Sequence, residues 1–186
     1  MRGGKWGLGT GFFDSKYLMV HVPGERPLPR IRFALTDVPD LQVLSWDWPD
    51  VKSIWVGAGP TPAVLHRLLW LAAGLVKLGL FRSLAPLAPA MNWMVNTVRW
   101  GEHRGGMIVE ITGLRASKKV TRSWNLLAEG DGGPCIPSMA AEAHIRHCLE
   151  GRLPKPGARS GHRDLELEDY APSLARHGIK TGIREY

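Results

Sequence analysis

Two neighbouring stretches of the sequence, 106–113 and 119–129, place apolar residues at every second position. The apolar side chains of the first stretch are Met107, Val109 and Ile111. Those of the second are Val120, Trp124, Leu126 and Ala128, on the same side as Arg122. A period of two is typical of a β-strand with one buried face. Because only a short loop at 114–118 separates the stretches, they predict a β-hairpin.

Longer stretches of the chain predict helices. Thr61 and Pro62 are favourable cap and first-turn residues for a helix that runs to about residue 80, and Gly101 ends a second helix over 90–100. Further helices are predicted over 137–149 and, interrupted by Pro172, over 165–177. Short strands are predicted at 17–22, 51–57 and 179–185, with a turn at 37–41. The elements predict an α+β fold, with a mixed, largely antiparallel sheet covered on one face by helices.

Residues 1–32 differ in composition from the rest of the chain. Glycine and proline are frequent there, and apart from 17–22 the segment has no periodic pattern. We therefore expect an irregular lead-in segment over 1–32 and a single domain over 33–186. A chain of 186 residues is long enough to bury a core of its own.

The chain is basic, with a formal net charge of +7 and a sequence pI of about 9.8. Its basic residues are scattered, and neither a zinc-finger spacing nor an RNA-recognition motif accompanies them, so we expect no nucleic-acid partner. The two cysteines, Cys135 and Cys148, are too few for a disulfide framework. The first residues lack the apolar core of a secretory signal. A cytoplasmic location is therefore expected.

The predicted helix over 61–80 is apolar on nearly all sides. Its uncharged stretch between Arg67 and Lys77 has nine residues, too few for the roughly 20 that span a bilayer. Such a broad apolar surface is typical of a helix that is buried in protein or that forms a homodimer. Attachment to a membrane surface, with Arg67 and Lys77 at the lipid headgroups, is the alternative.

One turn has the beginning of a dinucleotide-binding loop. Gly57 and Gly59 follow a predicted strand and precede a predicted helix, in the order G-x-G. Pro62 stands where that motif needs its third glycine, and no acidic residue follows at the distance of about 20 residues from which one binds the ribose. We therefore expect a strand that ends in a tight turn, and no cofactor bound by this chain alone.

Two further groupings carry candidate chemistry. His144, His147 and Cys148 share one side of the predicted helix over 137–149, but a clear fourth zinc ligand is missing, so we expect polar packing and no metal. The loop over 130–137 leads into the same helix, where backbone N–H groups can hold an anion and Cys135 could be activated. A plain strand-to-helix connection explains this loop equally well.

Several motifs form a specific set along the chain. They are Asp37-Val38-Pro39-Asp40-Leu41, His103-Arg104-Gly105-Gly106-Met107, Trp124-x-Leu126-Leu127-Ala128-Glu129-Gly130-Asp131-x-Gly133-Pro134-x-Ile136-Pro137, Gly151-x-Leu153-Pro154, Gly157-Ala158 and Gly178-Ile179-x-Thr181. As a set, over about residues 33–186, they resemble the C-terminal region of saccharopine-dehydrogenase-like oxidoreductases.

The resemblance implies an enzyme in two parts. A Rossmann domain binds NAD(P), and the second part, which this chain resembles, carries a mixed sheet for substrate contact and dimer formation. The implied partners are a second copy of the chain and a Rossmann domain of the same or another chain. A stand-alone module that binds a protein, a small acid or a membrane surface, without a nucleotide-binding domain, is the alternative. No catalytic residue is assigned.

The resemblance also implies where the substrate and cofactor cleft lies. In such enzymes the glycine-rich loop faces the cleft, next to the start of the neighbouring strand. The candidate cleft residues are therefore Gly130, Asp131, Gly133 and Pro134 in the loop and Arg104, Gly105 and Gly106 in the strand. Arg122 is added on chemical grounds, because a guanidinium can bind a carboxylate or phosphate through two parallel hydrogen bonds.

Overall fold

The computed structural model describes residues 13–60, 63–80, 82–97, 103–159, 161 and 163–186. It confirms the α+β class. The described strands form two three-stranded sheets, and every strand pair within them is antiparallel. The predicted caps Thr61 and Pro62 and the predicted helix end at Gly101 lie outside the described residues.

Contacts divide the chain into two compact units. The first unit contains Met1–Leu18 and Arg30–Glu102, and the second contains Met19–Pro29 and His103–Tyr186. Of the predicted lead-in segment, residues 13–18 therefore belong to the first unit and residues 19–29 to the second. Its first twelve residues lie outside the described part of the chain.

The first unit contains a small antiparallel sheet. Strand β1 (Ser15–Leu18) pairs with β2 (Ile31–Leu35), which pairs with the two-residue strand β3 (Gly57–Ala58). The strand predicted over 51–57 is therefore wrong for all but its last residue. Beyond the end of β2 the N–H of Thr36 donates to the carbonyl of Val56 at 3.0 Å, but residues 51–56 are not part of a strand.

The remaining elements of the first unit are helical. Helix α1 (Asp40–Asp47) begins inside the turn predicted over 37–41, with Pro39 at its N-cap. Helix α2 (Ala63–Lys77) and helix α3 (Ala88–Thr97), which follows a 3-10 turn at Ala85–Leu87, confirm the two predicted helices. No helix among the described residues is long and apolar enough to cross a membrane.

A long hairpin is the centre of the second unit and confirms the clearest prediction from the sequence. Strand β4 (Arg104–Arg115) pairs with β5 (Lys118–Glu129) along its whole length. The residues of the two-residue turn, Ala116 and Ser117, have φ angles of 49° and 63°, which is the left-handed geometry of a type I′ hairpin turn. Strand β6 (Lys180–Glu185) pairs with the other side of β5, so β4 and β6 are the two edges.

Helices cover one face of this sheet. Helix α4 (Met139–Leu149) follows a 3-10 helix at Gly130–Ser138, and helix α5 (Leu167–Arg176) packs beside α4. The buried core that the sheet shares with these elements comprises Leu126, Ala128, Met139, Leu174 and Ile179. It lies at the end of the hairpin away from the two-residue turn.

The segment at 19–29 covers the opposite face of the same sheet. Val20, Val22 and Leu28 are each at most 4% exposed. The N–H of His21 donates to the side-chain oxygen of Asn125, which is completely buried in β5. Strand β5 is therefore buried on both faces over its last third, by helices on one side and by an irregular segment on the other.

Candidate functional site

The fold brings two of the predicted site segments together at one end of the hairpin. Arg104 and Glu129 are partners in the register of β4 and β5. Next to them, the N–H of Gly130 donates to the carbonyl of His103 at 2.7 Å. Gly130 has a φ of +60°, which turns the chain sharply out of β5. We call Arg104–Gly106 together with Gly130–Pro134 the glycine end of the sheet.

Arg104 makes internal contacts at the glycine end. Its Nε donates to Oε1 of Glu129 at 2.9 Å, and its terminal nitrogen donates to the carbonyl of Arg26. The Arg104 side chain is 13% exposed. The guanidinium therefore ties the segment at 19–29 to the edge strand, and this contact gives it a structural role.

The neighbouring glycines have opposite surroundings. A Cβ at Gly106 would lie 2.6 Å from the carbonyl oxygen of Leu126 and 2.8 Å from the side chain of Val20. Gly106 is therefore required for the segment at 19–29 to approach the sheet. A Cβ at Gly105 would meet nothing within 4 Å, so Gly105 leaves open space at the surface.

The loop after β5 is mostly a packed connection. A Cβ at Gly132 would lie 3.0 Å from the carbonyl oxygen of His177, at the end of α5. Cys135 is half-buried against the core, with its Sγ 3.8 Å from the carbonyl oxygen of Asp131. The side chains of Asp131 and Pro134 are exposed. At the glycine end, the Asp131 carboxylate is therefore an accessible hydrogen-bond acceptor.

Arg122 lies away from the glycine end. It faces Ile111 in β4 and Glu185 in β6, and its Nε is 3.6 Å from Oε2 of Glu185. Arg122 lies seven positions before Glu129 along the extended strand, which corresponds to about 23 Å. The structure therefore does not bring Arg122 together with the other predicted cleft residues.

The residues around the G-x-G turn do not fit a dinucleotide. A Cβ at Gly59 would lie 2.6 Å from the carbonyl oxygen of Arg32, and one at Gly57 would lie 2.7 Å from that of Ala34. Both glycines therefore allow close approach to β2. The adjacent open depression, of ≈ 570 Å³, has Asp37 in its wall. A carboxylate there would repel a pyrophosphate.

His147 and Asp169 form a close polar contact that the sequence patterns do not predict. His147 Nε2 lies 2.7 Å from Asp169 Oδ1, which joins α4 to α5. The hydrogen bond from the backbone N–H of Glu166, followed by the one to His147, lowers the pKa of the Asp169 carboxyl. Glu166 and Asp169 form a capping box at the start of α5. The three-residue spacing of these two acidic residues is the sequence signal for the capping box.

Among the residues that the structure describes, the histidines of α4 belong to no metal-binding group. The described residues contain no group of three or more histidine, cysteine, aspartate or glutamate side chains placed to hold a metal ion. His147 contacts Asp169, and the thiol-bearing Cys148 is exposed.

The edge strand β4 displays an apolar row that the helices leave uncovered. Val109, Trp124 and Ile183 are direct neighbours across the three strands on the helix-covered face, where Trp124 packs against the margin of the core. Val109 is 46% exposed and Ile183 is 55% exposed. On the same side of β4, Met107 is 40% and Ile111 is 70% exposed. The sequence signal for this exposed surface is the alternation of apolar residues in β4, which continues to Ile111, beyond the part of the sheet that the core covers.

Comparisons of the chain with protein-family models, with curated proteins and with solved structures find no match.

Proposed function

We propose that this chain is the substrate-contact and dimerisation domain of an NAD(P)-dependent saccharopine-dehydrogenase-like oxidoreductase. Its motifs support the oxidoreductase part, through their resemblance to that family. The exposed apolar edge of β4 is the observation that carries the dimerisation part.

The glycine end is the candidate for substrate contact. Gly105 leaves the backbone open to an approaching molecule, and Asp131 offers an exposed carboxylate beside it. Arg104 and Gly106 support this end from within, because both hold the segment at 19–29 in place. NAD(P) is assigned to a Rossmann domain, since the G-x-G turn of this chain does not fit it.

Dimerisation follows from the chemistry of an open sheet edge. A long edge strand presents unpaired backbone N–H and C=O groups, and natural proteins usually cover or charge such an edge. Among the described strands, β4 pairs with β5 alone, and it is twelve residues long. Its exposed side chains Met107, Val109 and Ile111 add apolar surface that a partner strand would bury.

The sequence of β4 selects one register for pairing with a second copy. An antiparallel pair with a two-fold axis at Val109 aligns eleven of the twelve residues of β4. It places Val109 beside its own copy and Met107 beside Ile111 of the partner, so that apolar side chains meet. An axis at Glu110 aligns as many residues but sets two glutamates against each other, which is unfavourable.

Sedimentation equilibrium tests this proposal with one variant and one control. Wild type should be a dimer, and Val109→Lys should be a monomer, because it places two lysines on the axis. Leu149→Lys on α4 is the control, since Leu149 is 84% exposed and lies outside the edge. A monomeric wild type, or a Val109→Lys variant that dimerises as well as wild type, would contradict the proposal.

Titration with NADPH tests the assignment of the cofactor to another domain. We expect no binding by this chain in the micromolar range, the range typical of an intact cofactor site. Micromolar binding would locate the cofactor in this chain and would contradict the division of roles, whether or not the chain dimerises.

A further inference from the structure

Helix α2 displays an apolar stripe on the side that faces away from its own unit. The stripe consists of Val64, Leu68, Leu71 and Leu75, continued by Leu78, the residue after the helix, whose N–H still donates to the carbonyl of Gly74. These residues recur at alternating intervals of four and three, which places them along one side of a helix. Their side chains are between 39% and 76% exposed. We call them the α2 stripe.

The other side of α2 already has its packing partners. His66 is 2% exposed, and the ring of Trp70 lies 5.4 Å from that of Phe13. The α2 stripe is therefore surplus to the core of the first unit. An apolar strip of five side chains on a protein surface marks an interaction site.

The segment of sequence that contains α2 carries charges of one sign only. Between Asp50 and Glu102 the sequence contains no acidic residue, whereas it contains five basic ones: Lys52, Arg67, Lys77, Arg82 and Arg99. They account for most of the net charge of +7. Helix α3 carries no charged residue, and its Trp93 is 66% exposed. An exposed apolar helix stripe that is bordered by an arginine, on a helix without acidic residues, is typical of helices that lie on anionic membranes.

A second copy of α2 is a poor occupant for the same stripe. Paired helices that use a seam with four-three spacing place opposite charges along its flanks. Here Arg67 borders the stripe, and α2 offers no acidic residue to meet it in a partner helix. Two copies would therefore bring like charges together, whereas an anionic lipid surface would neutralise them.

We propose that the α2 stripe docks the protein on the surface of an anionic phospholipid bilayer. The leucines would enter the boundary between headgroups and acyl chains, and Arg67 would extend its charged end to the lipid phosphates. The proposal is independent of the oxidoreductase function, since it rests on different residues.

Co-sedimentation with vesicles tests the docking. The probes are vesicles of phosphatidylcholine with about 30% phosphatidylserine, and vesicles of phosphatidylcholine alone. Wild type should pellet with the anionic vesicles and much less with the neutral ones. Its binding should fall several-fold when salt rises from about 0.05 M to about 0.5 M.

Two variants and one control assign the binding to the stripe. The double variant Leu71→Glu with Leu75→Glu should lower the partition coefficient at least about tenfold. Arg67→Gln, which keeps the apolar surface, should lower it by about fivefold. Leu149→Glu should bind like wild type, because it changes an exposed leucine outside the stripe. Circular dichroism before each assay checks that every variant is folded.

Three outcomes would overturn the proposal. Wild type could stay in the supernatant with anionic vesicles, or the double variant could bind as strongly as wild type. The double variant could also lose a self-association that wild type shows in the absence of vesicles, which would assign the stripe to a second copy. Binding that follows the α2 variants and depends on phosphatidylserine supports the proposal, even if the chain shows no dehydrogenase role.

Discussion

The buried side chain of Asn125 joins two segments that lie 104 residues apart in the sequence. Its Oδ1 accepts the N–H of His21 at 3.2 Å, and its Nδ2 donates to Oγ of Ser123 at 3.0 Å. Both β5 side chains are at most 2% exposed. The Asn125 side chain gives the partly buried N–H of His21 a hydrogen-bond partner and fixes the position of the segment at 19–29 on the sheet.

Replacing Asn125 should therefore destabilise the second unit. Asn125→Ala should lower the free energy of unfolding by about 2 kcal/mol, because it leaves the N–H of His21 and the hydroxyl of Ser123 without this partner. Urea denaturation followed by circular dichroism measures the change. Thr181→Ala, at an exposed position of β6, is the control and should change stability by less than about 0.5 kcal/mol. Equal effects of the two substitutions would contradict this role for Asn125.

Neighbouring glycines of β4 offer a matched comparison. Gly106→Ala should destabilise by about 1–3 kcal/mol, because its Cβ would collide with the backbone of Leu126. Gly105→Ala should be neutral or slightly stabilising, since space is open there and alanine restricts the unfolded chain. Thermal unfolding of the two variants separates these expectations. Equal stability of Gly106→Ala and Gly105→Ala would contradict the close packing of residues 19–29 against Gly106.

The two-residue turn of the hairpin is built from unfavourable residues. Ala116 and Ser117 both adopt positive φ angles, which asparagine and glycine tolerate better. The double variant Ala116→Asn with Ser117→Gly should therefore raise the free energy of unfolding by about 1 kcal/mol. Chemical denaturation measures the gain. A loss of stability would show that the turn has another geometry.

Asp169 should make stability depend on pH in the acid range. Its contacts with the N–H of Glu166 and with His147 hold its pKa below the ordinary value of 3.8. Because the folded state favours the ionised form, the contribution is complete above that ordinary value and disappears as pH falls through the lowered folded pKa. The stability difference between wild type and Asp169→Asn should therefore shrink from about pH 5 to about pH 3. A difference that stays constant over this range would contradict the assignment.

Local patterns account for the parts of the fold that the sequence predicted. The hairpin follows from alternation, because successive side chains of a strand point to opposite faces. The predicted interruption at Pro172 is wrong, since α5 continues through it. Pro172 is exposed, and the amide that proline lacks would face the carbonyl of Glu168 in the first turn of the helix.

Long-range packing accounts for much of what the sequence did not reveal. Nothing near His21 indicates that it meets Asn125, and the covering of a second sheet face by residues 19–29 has no periodic signature. Arg104 illustrates the same limit at the candidate site. Its motif predicts a place at the cleft, whereas its hydrogen bond to the carbonyl of Arg26, 78 residues away, has no signal in the sequence. In contrast, the register of the predicted hairpin explains why residues 104–106, at the start of β4, lie near residues 130–134, which follow the end of β5.

Disulfide trapping across the β4 edge tests the dimerisation claim most directly. The experiment uses a background with Cys135→Ala and Cys148→Ser, to which Val109→Cys or Ile111→Cys is added. With the axis at Val109, the two Val109 Cα atoms lie about 4.5–5.5 Å apart, within the range of a disulfide. The two copies of Ile111 lie about 13 Å apart along the strands. We predict that Val109→Cys forms a covalent dimer on mild oxidation and that Ile111→Cys, although more exposed, does not. A covalent dimer from Ile111→Cys and none from Val109→Cys would contradict the proposed edge pairing.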